Sequence, residues 1–201
     1  MAQIDFKYFL ETISPKINPK YRTNIKNAQC LFDEWNTYLY ESGNFEIDKK
    51  RFAYMLATAW HETAFTFLPI KEYGLGRKYK YGKPNDRGLT YYGRGFVQLT
   101  WDYNYDKMGK ILKVDLLKNP DLALDPVIAT KIMFKGFYGG FFTGKRIENY
   151  FNGTTTDPIN ARRIINGVRK GETLPDKAEE ITKHYLLFLS GLKEITPIVG
   201  N

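Results

Sequence analysis

The sequence predicts a mainly α-helical domain with one loop-rich wall. Apolar residues recur at i, i+3, i+4 spacing in several separate segments. Asp-Pro and Ser-Gly pairs fall where those segments begin and end. Between residues 69 and 96 the helical spacing lapses and six glycines occur: Gly74, Gly76, Gly82, Gly88, Gly93 and Gly95.

Ile25, Ala28, Leu31, Phe32, Trp35, Tyr38 and Leu39 predict a first amphipathic helix over 23–41, ended by Ser42-Gly43. Asp48 is expected to cap the next helix, whose inner face carries Phe52, Met55, Leu56, Ala59 and Trp60. Residues 69–96 read as a long loop with at most a small hairpin, and long loops in compact domains are often functional. Asp125-Pro126 and Asp157-Pro158 predict helix starts, because Asp accepts from unpaired N–H groups and Pro is tolerated in the first turn. Helices are expected over 126–138 and 158–165. A last one, over 175–192, presents Ala178, Ile181, Tyr185, Phe188, Leu189 and Leu192. With no internal repeat and no linker, residues 1–201 read as a single domain.

Composition narrows the function. The single cysteine, Cys30, excludes an intramolecular disulfide scaffold. No apolar run reaches the roughly 18 residues of a membrane span, and no signal peptide is visible. The expectation is synthesis in a cytoplasm without stable membrane insertion, so that acting outside the cell would need another system to export or release the protein. The net charge of +8 favours anionic partners. Residues 51–100 hold eight basic and three acidic side chains, and Arg77, Lys78, Lys80, Lys83, Arg87 and Arg94 crowd around the loop. That excess fits an anionic polymer or simply a solvated surface. Tyr and Phe number 15 and 14, and their rings can stack on bases or sugars.

The candidate chemistry lies between residues 60 and 105. Glu62 ends an apolar helix, and apolar walls disfavour a charged carboxylate, as a general acid requires. A solvated helix-end glutamate is the competing explanation. Glu72 follows ten residues later, where the loop begins; a helix-borne acid facing a loop-borne base is the pairing that glycoside hydrolysis uses. His61 lacks a second histidine one turn on, where Phe65 stands, so a zinc site is not expected. The only other histidine is His184, and no cofactor or metal is expected. Nucleophile-elbow, phosphate-loop and dinucleotide motifs are absent, as is any nucleic-acid motif. In the segment 91–105, Gly93 and Gly95 allow close backbone approach. Gln98, Thr100 and Asn104 offer neutral hydrogen bonds there, suited to sugar hydroxyls, N-acetyl groups or a held water.

These residues carry a resemblance. Trp60-His61-Glu62-Thr63, Tyr92-Gly93-Arg94-Gly95-Phe96-Val97-Gln98-Leu99-Thr100, Asn104-Tyr105, the 114–126 segment and Ile164-Ile165-Asn166-Gly167 follow one another as in glycoside hydrolase family 19. That family comprises class I-like chitinases and phage-type endolysins of the lysozyme-like superfamily. The motifs span about residues 52–190 and leave 1–45, expected as an N-terminal helical segment, uncovered.

The resemblance implies a two-lobed helical fold with a substrate cleft. It implies inverting hydrolysis of β-1,4 links between N-acetylated amino sugars. Carried over, Glu62 is the general acid, Glu72 the base and Thr100 the residue holding the attacking water. His61, Tyr92, Arg94, Gln98, Tyr103, Asn104 and Asn166 are expected on the substrate side. Inversion asks for carboxyls about 6.5–9.5 Å apart, with room for water. Lys71, Arg77 and Lys78, near Glu72 in sequence, are expected to favour its anion. The family's late arginine, some sixteen residues after Asn-Gly, has no counterpart here. The leading expectation is a peptidoglycan-cleaving, endolysin-like monomer. A chitinase, or an inactive sugar-binding or virion protein that keeps the fold, stands as an alternative.

Overall fold

A computed structural model of the chain describes residues 3–37, 42–166 and 175–195. A two-residue strand, β1 (Gln3–Ile4), leads into α1 (Phe6–Ile13), whose N-terminus is capped by Asp5 accepting from Tyr8 N at 2.9 Å. The helix expected over 23–41 divides in two. Arg22–Ala28 winds as a 3-10 helix, and α2 (Gln29–Thr37) continues as α-helix. Tyr38 and Leu39 lie outside the described residues.

The longest helix is α3 (Phe45–Glu62). Its cap is Asn44, which accepts from Glu46 N and Ile47 N at 3.0 and 3.3 Å, rather than the expected Asp48. Asp48 falls one turn inside the helix, fully buried, and pairs with Arg51 at 3.2 Å. Every residue from Arg51 to Trp60 is buried, so α3 runs through the interior. A helix surrounded on all sides needs apolar residues all round, which is why its pattern is less one-sided than that of α1.

After α3, Ile70–Lys71 (β2) pairs antiparallel with Arg94–Gly95 (β3), in the register Ile70↔Gly95 and Lys71↔Arg94. This is the small hairpin-like element expected in the loop. Then come α4 (Asp102–Leu112) and α5 (Pro126–Gly139). The start of α5 is as expected: Asp125 accepts from Val127 N and Ile128 N at 3.0 and 2.9 Å. The expected helix at 158–165 is a 3-10 turn, Asn160–Ile164, held by Asp157 accepting from Asn160 N at 3.0 Å. Helix α6 (Ala178–Leu189) packs along α3. A second ladder, not expected from the sequence, pairs β1 with β4 (Glu194–Ile195) and brings the two ends of the described chain together.

The core is aromatic. Trp35 stacks on Phe52 at 4.6 Å, Phe9 meets Phe32 at 4.8 Å, and Tyr54 meets Phe151 at 5.3 Å. Most of the rings that composition offered for stacking on sugars are therefore consumed in packing, where each contributes large apolar area. Among the described residues no helix is long and apolar enough to cross a membrane.

Asn44→Ala removes the cap of the central helix and should lower stability by about 1 kcal/mol, whereas Trp35→Ala should cost about 3–5 kcal/mol. Urea titration of both variants checks this order; a larger loss at Asn44 would contradict it.

Candidate active-site cleft

A cleft of about 340 Å³ is lined by Glu62, Glu72, Tyr81, Val97, Gln98, Leu99, Thr100, Asn104, Phe142, Ile165 and Asn166. Six of the ten residues proposed from sequence meet there: Glu62, Glu72, Gln98, Thr100, Asn104 and Asn166.

Glu62 sits in the last turn of α3. Its side chain is 15% exposed, and its Oε1 accepts from Arg162 Nη1 at 2.5 Å across 100 residues of chain. Glu62 thus meets a buried guanidinium, not only the apolar walls that the sequence suggested. Arg162 is anchored in turn: its Nε donates to the Asp176 carbonyl at 3.2 Å. With the Asn166 amide oriented so that both its atoms are satisfied, Asn166 Oδ1 accepts from Arg162 Nη2 at 2.7 Å and Nδ2 donates to the Ile165 carbonyl. One guanidinium therefore joins a carboxylate, a cleft amide and a backbone carbonyl.

Glu72 is placed by the β2–β3 ladder. Its N–H donates to the Gly93 carbonyl at 2.7 Å, one step past the Lys71↔Arg94 pair. Its Oε2 accepts from Gly93 N at 3.0 Å, and its Oε1 from the Tyr81 hydroxyl at 3.0 Å. Glycine suits this position, because a Cβ at Gly93 would stand 3.2 Å from both Glu72 Cβ and Gln98 Cβ and would press on both side chains. The donors on Glu72 are neutral. Lys71 turns away to Asp121 at 3.0 Å, and Arg77 and Lys78 are exposed, so the cationic neighbours expected from sequence do not make its contacts. Burial first, and then the Glu72 carboxylate, push the Tyr81 phenol well above its ordinary pKa, so Tyr81 remains a donor.

The segment after Gly93 doubles back. Leu99 N donates to the Arg94 carbonyl at 2.9 Å, and Arg94 N to the Leu99 carbonyl at 3.2 Å. Gln98 and Trp101 hold positive φ angles of 52° and 71°, a costly conformation for residues with side chains. They flank Thr100 and so aim this short stretch into the cleft. Gln98 Nε2 is tied to the Ile70 and Gly95 carbonyls, and Asn104 Nδ2 to the Thr100 carbonyl. Across the cleft floor, Gly136 makes room for Phe142: a Cβ there would lie 1.9 Å from the Phe142 ring.

Four proposed substrate-side residues are not in the lining. Arg94 is 3% exposed, stacks over the Tyr92 ring at 3.6 Å, and donates to Asp121, to the Thr90 and Tyr92 carbonyls and to the Tyr105 hydroxyl. It braces the loop from behind. Tyr92 is buried with it. His61 points toward Glu180 of α6, with Nδ1 3.6 Å from the carboxylate, too long for a hydrogen bond. Burial lowers its pKa against the pull of Glu62 and Glu180, which keeps the ring neutral near pH 7. Tyr103 is 61% exposed beside the cleft and stacks on Trp101 at 6.0 Å. Sequence reasoning missed Tyr81 and Arg162. The Ala161-Arg162-Arg163 triplet just before Asn166 was the available signal: a residue four positions earlier on a helical turn shares its face. Among the described residues no group of His, Cys, Asp and Glu could hold a metal ion.

Arg94→Leu should leave the Thr90 carbonyl and the buried Tyr105 hydroxyl without their arginine donor and destabilise the fold by about 1–3 kcal/mol. Thermal denaturation checks this; an unchanged midpoint would move Arg94 out of its bracing role.

Residues 21–140 match the family model described as Chitinase class I. An endochitinase of Arabidopsis thaliana is 34% identical over 160 residues, which cover 75% of this chain and 51% of that protein. Endochitinase A2 of Pisum sativum is 55% identical over 49 residues, 24% of this chain and 15% of that one. The chain thus spans about half or less of these curated relatives. Chitinase C of Streptomyces griseus HUT6037 has a similar fold, with a TM-score of 0.61 and 23% identity over 93% of this chain and 75% of that one. A bacterial family 19 chitinase gives 0.56 and 24% over 98% and 97% of the two chains. The family match takes in residues 21–45, where no motif was recognised, and stops short of Phe142, Arg162, Ile165 and Asn166. With more than half of the chain matched and the same helical fold around the cleft, this protein belongs to glycoside hydrolase family 19, of the lysozyme-like superfamily.

Proposed function

We propose that the chain hydrolyses β-1,4 links between N-acetylated amino sugars with inversion, and that its polymer is peptidoglycan. One observation carries the chemistry: Glu62 and Glu72 open into the same cleft, each with one oxygen or both held by fixed donors, and Thr100 lies in the same lining. In this reading Glu62 gives its proton to the glycosidic oxygen as the C1–O bond breaks. Water held by Thr100 attacks C1 from the other face and loses its proton to Glu72. Gln98, Asn104 and Asn166 supply neutral contacts to hydroxyl and N-acetyl groups.

Exposed charge favours peptidoglycan. Arg77, Lys78, Lys80, Lys83 and Arg87 are all exposed on the loop that carries Tyr81 into the cleft, and an anionic wall polymer would be drawn to them. Chitin is the second reading, favoured by the endochitinases among the relatives.

The test is product analysis. Purified protein is incubated with peptidoglycan and, separately, with chitin oligosaccharides, and the products are read by mass spectrometry and by NMR of the new anomeric centre. Muropeptides with an inverted anomer are expected. Chitin cleavage alone would replace peptidoglycan with chitin, and products from neither polymer would overturn the enzymatic reading. Glu62→Gln and Glu72→Gln should each lower kcat by about 10²–10⁴-fold with the fold intact. A mild loss at either would remove that residue from its role. Between ionic strengths of about 0.01 and 1 M the Debye length shrinks from about 30 to 3 Å. Turnover of peptidoglycan should fall over that range and turnover of short neutral oligosaccharides should not; equal responses would refute the role of the basic loop.

A further inference from the structure

Arg162 is the least expected member of the site. It is 3% exposed, reaches Glu62 across 100 residues of chain, and spends its donors on Glu62, Asn166 and the Asp176 carbonyl. We infer that Arg162 is the positioning residue of the acid: it fixes which Glu62 oxygen carries the transferable proton and stabilises the carboxylate left when that proton departs. The inference rests on the reading of Glu62 as the general acid.

The argument is chemical. A guanidinium has five N–H donors and no acceptor. The oxygen it meets, Oε1, must therefore accept, and a proton there would point at another donor. The transferable proton belongs on Oε2, for which no donor or acceptor is found among the described residues. As the C1–O bond breaks, the Oε2 proton passes to the leaving oxygen, the water oxygen bonds to C1, and the water proton passes to Glu72. Glu62 ends as a carboxylate and Glu72 as an acid, so charge and protons balance. The negative charge that develops on Glu62 faces a cation already in place, and an interaction that strengthens toward the transition state accelerates the step. Arg162 supplies this from a position before the Asn166 turn.

The inference separates two substrates. A natural β-1,4 oligosaccharide needs its leaving oxygen protonated. A 2,4-dinitrophenyl glycoside of the same sugars does not, because its phenolate leaves unaided. Arg162→Gln should lower kcat on the oligosaccharide by about 10²-fold or more, the range of general acid catalysis, with little change in KM. On the dinitrophenyl glycoside it should stay within a few-fold of the parent. Tyr81→Phe, which loosens the base, should slow both substrates alike. Equal losses on the two substrates for Arg162→Gln would mark Arg162 as merely structural and overturn the inference, as would no loss on either. Should Arg162→Gln fail to fold, Arg162→Lys, which keeps the charge and loses the fork, serves in the same comparison: selective loss on the oligosaccharide supports the inference and parallel loss overturns it. Glu62→Gln is run beside them. If it too spares the oligosaccharide, the acid assignment has failed, and that outcome is distinct from a failure of Arg162 alone.

Discussion

The site depends on a helix whose second half has no outer face. From Arg51 to Trp60 every side chain of α3 is buried, so the end of α3 is located by the whole core. Glu62 sits in the last turn, where helix carbonyls present the negative end of the macrodipole. A positive charge complements that end of the dipole. Arg162 supplies it, and its own place is fixed by the 3-10 turn Asn160–Ile164 and the Asp176 carbonyl. Removing one member of such a buried pair typically costs about 3–5 kcal/mol. The contact therefore links the helix end to the segment beyond residue 142 that closes the cleft.

The other wall is built without a cation at its carboxylate. Glu72 is set by two backbone bonds to Gly93, one in each direction, and by the Tyr81 hydroxyl. The loop can hold this shape because Arg94, behind it, gathers the Thr90 and Tyr92 carbonyls, the Tyr105 hydroxyl and Asp121 around one guanidinium. Each wall is thus organised by a buried arginine, and only one of the two touches a carboxylate of the cleft. The positive φ angles at Gln98 and Trp101 are the local strain that this arrangement sustains.

Much of this was legible in the sequence where the signal was local. Helical spacing located α3, α5 and α6, and Asp125-Pro126 marked the start of α5. The motif residues Glu62, Glu72, Gln98, Thr100, Asn104 and Asn166 do share a cleft. The failures have a common cause, which is that sequence neighbours need not be spatial partners. Lys71 ends β2 and Glu72 follows it, still paired through its N–H to Gly93, and successive side chains along such a ladder point to opposite faces, so Lys71 goes to Asp121 and Glu72 to the cleft. The same alternation sends Arg94 behind the wall. His61 is one residue, or about 100°, from Glu62 on the helix and so faces α6. The Glu62–Arg162 contact spans 100 residues, so neither residue's sequence neighbours point to the other. Asp48 looked like a cap because Asp is a good one; Asn44 came first and is as good.

The two carboxylates differ less in exposure than in what holds them, and this bears on where the basic loop can act. A cation 2.5 Å from Glu62 in a buried setting is little screened by salt, so in the proposed function the chemical step would depend on Arg162 and on the neutral donors on Glu72 rather than on ionic strength. Arg77, Lys78, Lys80, Lys83 and Arg87 are exposed, and their field at the reacting bond is screened by solvent and ions. Such charges act on encounter and on holding a charged polymer, not on bond breaking. In the proposed function, charge selection and catalysis would then be carried by separate residues, the first on the exposed loop and the second in the cleft. A neutral oligosaccharide short enough to miss the loop would experience the two carboxylates of the cleft alone, and a long anionic strand would experience both them and the loop.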